Sequence, residues 1–178
     1  EDPSVSENKG YLGYFSAFYM VYPFETAAYT TPVESVSKPV RTRFGYHILK
    51  IHDKRTSRGE VKVAHIMVKS NINDSLSVLK AKAKIDEIYD SLVFRKGDNF
   101  SDLAKKFSDD KKSGSNGGEL EWFGINKMVE SFEDAAFSLE SVGDFSSPIE
   151  TPFGWHIIKL IDKKKISQFD IMKESIKK

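Results

Sequence analysis

Two histidines, an aspartate and a few large apolar side chains are the groups of this chain best suited to chemistry. His65 sits in the apolar run VKVAHIMV (61–68), His156 in a second one, GWHIIKLI (154–161), and Asp110 in the polar, glycine-rich stretch DDKKSGSNGG (109–118). Leu120, Met128, Phe132 and Phe153 lie between or beside them. A few polar groups among large apolar ones make a cleft that grips an apolar ligand and orients it. Patterns for bond cleavage or nucleotide binding are absent: GxSxG, HExxH, the P-loop and GxGxxG do not occur. The glycines of SGSNGGEL do not lead into a helix with a basic phosphate-binding residue. With no cysteine in the chain, disulfides, thiolate metal sites and a cysteine nucleophile are excluded, and neither a metal nor a cofactor is expected.

The elements that must position these groups follow from periodicity. The β-branched run 61–68 reads as a buried strand. Leu76, Leu79, Ala83, Ile88 and Leu92 keep roughly helical spacing until Gly97, which predicts a long amphipathic helix. Asn99 followed by Asp102 is a capping arrangement for a short second helix, with Phe100, Leu103, Ala104 and Phe107 on one face and its end near Ser108. Residues 109–118, rich in charge and turn formers, predict an exposed loop. A strand over 120–123 precedes a third helix marked by Phe132, Ala135, Ala136 and Leu139, and two strands at 148–149 and 154–161 flank a turn at 151–153. The order β-α-α-β-α-β-β predicts an α+β fold, with helices packed on a small, largely antiparallel sheet.

Part of this pattern is written twice. Residues 10–54 and 118–163 align at an offset of 108 at Met20/Met128 and Phe24/Phe132, and of 109 at Pro39/Pro148 and His47/His156. About sixty residues of new sequence, beginning near Glu60, precede the second copy, whereas nine precede the first. The chain therefore reads as a partial unit (1–56), a complete domain (60–163) and a helical tail (164–178) that either docks on the domain or begins a further region, docking being favoured. Asp2 precedes Gly10 as Asp110 precedes Gly118, so the chain is expected to start at a processing boundary inside the loop leading into the repeat.

The fragments AHIMV, FSDLAKKFSDD, NGGEL, MVESFEDAAFSL and SSPIETPFGWHIIKL, in that order and spacing, resemble the parvulin family of peptidyl-prolyl cis-trans isomerases over nearly all of 61–162. The resemblance implies a four-stranded antiparallel sheet wrapped by helices, preceded by a partial second copy. It assigns His65 and His156 to the paired histidines of the sheet floor, and Asp110 to a position that is cysteine or aspartate among parvulins. Leu120, Met128 and Phe132 match the pocket for the proline ring, and Thr151 matches a polar residue beside it. Phe153 stands where some relatives carry a small polar residue, and Glu121 replaces the glycine usual in a GGDLGW-type strand. In the first copy Asp2, Leu12, Met20, Phe24, Thr42 and His47 match, but the strand bearing the first histidine is missing, so that unit is expected to be inactive. On residue type alone the histidines read as satisfied core groups and the Met/Phe set as ordinary core. The family pattern turns both readings toward function, while His47 reads as structural and His52 as solvent-facing.

Twenty-seven basic and twenty-six acidic side chains, interspersed, leave a formal charge of +1, which argues against a nucleic-acid partner. No apolar run approaches a membrane span. The expected function is acceleration of X-Pro rotation in unfolded or extended proline-containing polypeptides. A peptide-binding chaperone module with little turnover is the alternative. A third reading is self-association through the open sheet edge of the first unit. By the same resemblance, which is to tandem-domain foldases, the expected location is the periplasm or cell envelope.

Overall fold

The computed structural model describes residues 5–94 and 99–165. The chain divides into two compact units, Glu1–Ser57 and Arg58–Lys178. Among the described residues no helix is long and apolar enough to cross a membrane.

In the first unit, a short helix α1 (Val5–Asn8) precedes α2 (Tyr22–Thr30), which packs near the hairpin of β1 (Val40–Thr42) and β2 (Gly45–His47). The strands are antiparallel, with Val40 opposite His47, and Ser37 N–H donates to the Leu49 carbonyl at 2.8 Å just beyond them. Leu49 is buried, but Phe44, Tyr46 and Ile48 are exposed.

The second unit is built on β3 (Glu60–Lys69), followed by α3 (Ser75–Phe94), α4 (Phe100–Phe107), α5 (Lys111–Gly114), α6 (Glu130–Ser138), β4 (Ile149–Thr151) and β5 (Gly154–Lys164). The sheet order is β3-β5-β4, antiparallel throughout. A fourth, irregular row runs along the free edge of β3. There His65 N–H donates to the Gly118 carbonyl at 2.8 Å, Leu120 N–H to Val63 at 2.9 Å, and Phe123 N–H to Val61 at 3.0 Å. The expected α+β fold and four-rowed sheet are thus present, with the 118–123 row too irregular for a full strand.

Strand alternation sorts the side chains onto two faces. Ala64, Ile66 and Val68 of β3 and Ile157 of β5 pack against Ala81, Ile85 and Ile88 of α3 and Phe100, Leu103 and Ala104 of α4. Val61 and Val63, with Ile158 and Leu160, face Phe132, Ala136 and Phe137 of α6 and the adjoining Leu139. His65 and His156 share this second face. They come from neighbouring strands in a register that sets Met67 opposite His156 and His65 opposite Ile158. Burying side chains of this size is worth roughly 1.5–3 kcal/mol each, so the two layers hold the register against a one-residue slip of either strand, which would put the two histidines on opposite faces.

Helix ends follow local chemistry. Asn99 caps α4 by accepting from Asp102 N–H, and Asp110 caps α5 by accepting from Lys112 N–H. The expectation of an exposed loop over 109–118 is corrected. That segment contains α5, and Ser113, Gly114, Gly117 and Gly118 are buried. Its glycines mark close approach to β3 instead of solvent exposure: at Gly118, φ +86°, a Cβ would meet the His65 carbonyl oxygen at 2.3 Å. Lys164, assigned to the tail from sequence, is the last residue of β5, and the expected tail helix otherwise lies outside the described residues apart from Lys165.

Gly118→Ala is expected to destabilise the second unit by at least about 3 kcal/mol, since backbone strain and a backbone clash combine. Gly143→Ala, at φ +100° with no heavy atom within 4 Å of the added carbon, carries only the left-handed penalty of about 1–2 kcal/mol. Urea unfolding of the two variants distinguishes these outcomes, and equal losses would contradict the close-approach explanation.

Candidate active site

The alternation that puts His65 and His156 on one sheet face also brings their rings together. Their Nδ1 atoms are 3.3 Å apart, and the rings are nearly parallel at 14°. Both side chains are buried. Phe132, in the first turn of α6, stands perpendicular to both imidazoles, with centroids 5.6 Å from His65 and 5.5 Å from His156. At the far side of His65, Nε2 lies 2.9 Å from Asp110 Oδ2 and 3.0 Å from Ser113 Oγ. At the far side of His156, Nε2 lies 2.8 Å from Thr151 Oγ1, which also accepts from Phe153 N–H at 3.1 Å.

The protons can be assigned from these partners. Burial pushes the Asp110 carboxyl up, but hydrogen bonds from Ser113 and His65 together with the attraction of His65 outweigh it and hold the group down at about 2. Asp110 is therefore ionised at neutral pH, and an ionised oxygen 2.9 Å from Nε2 requires a proton there. His65 Nδ1 is then an acceptor, His156 Nδ1–H donates to it, and His156 Nε2 accepts from the Thr151 hydroxyl. The chain of donors runs in one direction, from Phe153 N–H through Thr151, His156 and His65 to Asp110. Burial lowers both histidines. For His65 the opposing pull of Asp110 reduces the shift, while His156, further lowered by its neighbour His65, falls to about 4. At neutral pH the pair is uncharged.

Of the residues expected at the site, the structure brings together His65, His156, Asp110, Phe132, Thr151 and the backbone of Phe153. Leu120 is half-buried against the same apolar layer as Phe132. Phe153 is 62% exposed at the β4–β5 turn, so its ring forms part of the surface. Met128 is 37% exposed, and its N–H donates to Glu133 Oε1 at 2.9 Å. Two participants have no signal in the sequence reading. Ser113, buried, donates to Asp110 at 2.5 Å, and Glu133, buried, anchors the Met128 backbone. The repeat holds a signal that could have found the second, since MVYPFETAA and MVESFEDAA keep one acid at one place, but it was not used in the sequence reading.

The first unit repeats half of this arrangement. Thr42 Oγ1 lies 2.7 Å from His47 Nε2, Phe24 stands edge-on to His47 at 5.4 Å and 83°, and Phe44 N–H donates to Thr42 at 3.1 Å. His52 stands against Tyr11 and is 4.0 Å from Glu34, exposed, as its basic surroundings led one to expect.

Comparison with known proteins shows the family in which these residues occur. The model of the PPIC-type PPIase domain matches residues 49–164, and a second model of the same domain matches residues 1–53. The chain belongs to the PPIC-type PPIase family. It is 39% identical over 143 residues to the foldase protein PrsA of Geobacillus kaustophilus, covering 77% of this chain and 46% of that one. It is 32% identical over 180 residues to the chaperone SurA of Pseudomonas savastanoi pv. phaseolicola, covering 96% and 41% respectively. A crystal structure of the peptidylprolyl isomerase PrsA from Bacillus anthracis superposes with a TM-score of 0.51 at 36% identity, over 66% of this chain and 48% of that one. The chain spans less than half the length of each of these relatives.

For this PPIase-family domain, the depressed histidine values fix a pH dependence. In the unfolded chain the imidazoles take up protons below their ordinary value of 6.5, whereas His156 in the folded domain does so only near 4. Stability is expected to hold above about pH 6.5 and to fall as pH drops from there toward 4, with a further fall toward 2 as Asp110 loses its charge. Urea midpoints at about pH 7, 5.5 and 4.5, with imidazole NMR following His156, check this. A midpoint that rises on acidification, or a His156 that titrates at its ordinary value, would contradict the buried neutral pair.

Proposed function

We propose that the domain 60–163, within the second unit, accelerates cis–trans rotation about X-Pro bonds in unfolded or extended polypeptides, and that the partial copy 1–56, within the first unit, contributes no turnover of its own. The observation that carries this reading is the neutral imidazole pair beneath Phe132, locked by an ionised Asp110. Such a floor is polar and rigid but holds neither an activated nucleophile nor a free general base.

X-Pro rotation asks for no more. It makes and breaks no bond, and its barrier of roughly 18–20 kcal/mol arises from the loss of amide resonance as the bond twists. A site helps by holding the proline ring in an apolar slot, which in this domain is formed by Leu120, Met128 and Phe132, with Phe153 at the rim. Withdrawal of water disfavours the planar, charge-separated amide more than the twisted one, which lowers the barrier from the ground-state side. His65 and His156 supply the fixed floor, Thr151 and Asp110 hold their tautomers, and the Asp110 charge biases the field at the substrate carbonyl. Family membership, and relatives named as foldase and chaperone, support the reading. They also support extended client polypeptides as partners and the cell envelope as location.

A peptide-binding chaperone with little turnover is the second reading. It is favoured by the exposed aromatic side chains of the first unit, among them Phe18 at 98% and Tyr22 at 81% exposure.

His65→Leu is expected to reduce kcat/KM at least tenfold in an assay of proline isomerisation on a tetrapeptide anilide, a change of about 1.4 kcal/mol in the barrier. Full activity in that variant would remove the histidines from the mechanism. Peptide binding by the unaltered chain without any acceleration would favour the chaperone reading.

A further inference from the structure

Glu133 is a buried carboxylate with no part in the isomerisation step. One of its oxygens, Oε1, accepts both Lys127 N–H at 2.7 Å and Met128 N–H at 2.9 Å. Its own N–H, like that of Phe132, donates to the Val129 carbonyl at 3.0 Å, so the residue belongs to the first turn of α6 while its side chain reaches back over the turn before the helix. That turn is tight: Asn126 has φ +61°, in the left-handed region that asparagine accepts more readily than most residues. Two backbone donors next to a left-handed residue, drawn to one oxygen near a helix N-terminus, form a clamp that is favourable for an acid.

The first copy repeats the device in outline. Glu25 is buried at the start of α2 and accepts Met20 N–H at 2.8 Å. Phe18, the counterpart of Asn126, has φ +68°. Hydrogen bonds from the Met20, Phe18 and Tyr19 backbones hold the Glu25 carboxyl below its ordinary value. The chain thus builds the same clamp twice with different tip residues, which separates the clamp from any one side-chain packing.

We propose that Glu133 is a positioning residue for the proline pocket, fixing the distance between the Met128 turn and Phe132 on α6 and thereby the affinity for the ring. This rests on the reading of Leu120, Met128 and Phe132 as the slot for proline. Glu133 touches two backbone amides and sits one residue after Phe132, whose ring covers the histidines. Loosening the clamp widens one wall of the slot and leaves the imidazole floor unchanged. The effect belongs in substrate binding and not in the rotation step.

The test uses the full chain and the probe Ala-Leu-Pro-Phe 4-nitroanilide, with peptide dissociation constants measured alongside turnover. Glu133→Ala is expected to raise KM and Kd at least fivefold with kcat within twofold. Glu133→Gln, whose amide oxygen accepts the same two donors, restores most of the affinity. Met128→Ala is expected to raise KM as well, and the double variant Glu133→Ala/Met128→Ala to be no worse than the poorer single one, because both act through one turn. Additive losses, an unchanged KM in Glu133→Ala, a loss confined to kcat, or a Gln variant as poor as Ala would overturn the proposal. If Glu133→Ala does not fold, the Gln and Met128 variants and their combination decide it on the same criteria. If the unaltered chain binds the peptide without isomerising it, the catalytic reading fails while the dissociation constants still judge Glu133.

Discussion

The contact between Asp110 and His65 is the one on which the site depends. A carboxylate held at about 2 beside a buried imidazole determines which nitrogen carries the proton, and that choice passes along the pair to Thr151. Without it, two neutral imidazoles 3.3 Å apart could arrange their protons in either sense, or share a charge in a place that disfavours charge. Ser113 completes the arrangement by giving the carboxylate a second side-chain donor beside the Lys112 N–H, so that the ion remains solvated by the protein although it is drawn partly out of water. The sheet and its two apolar layers serve to keep these groups within hydrogen-bond reach.

How much of this was legible in the sequence depends on whether a residue's role leaves a periodic trace. His65 and His156 lie in β-branched runs whose alternation assigns each a face, and the Phe132, Ala135, Ala136, Leu139 spacing identified the helix that covers them. The α+β order follows from the same patterns. Asp110 and Thr151 carry no such trace: Asp110 was picked out by residue type and given a place by the family resemblance, which alone marked out Thr151. Ser113 and Glu133 left no periodic trace either, because a serine in a charged segment and an acid on a helix normally face water. Their burial is produced only when α5 and α6 close on the sheet.

The misreading of 109–118 has a related cause. Glycine density and charge indicate exposure when the glycines serve turns. In this segment Gly118 serves contact, since its missing Cβ lets the chain pass against the β3 backbone at His65. The segment carries Asp110 and Ser113 to the ring from the outside, so its closeness to the strand is part of the site's geometry. Local composition reports polarity but not which backbone lies a few ångströms away.

Both copies keep a left-handed residue at the crest of the turn before the covering helix, yet one uses asparagine, which accepts that conformation readily, and the other phenylalanine, which does not. The penalty of about 1–2 kcal/mol for the aromatic residue is therefore absorbed by the surrounding frame. Phe18 projects almost wholly into solvent. The crest is a place where the exposed surface can be rewritten from polar to greasy while the main-chain path beneath it stays the same.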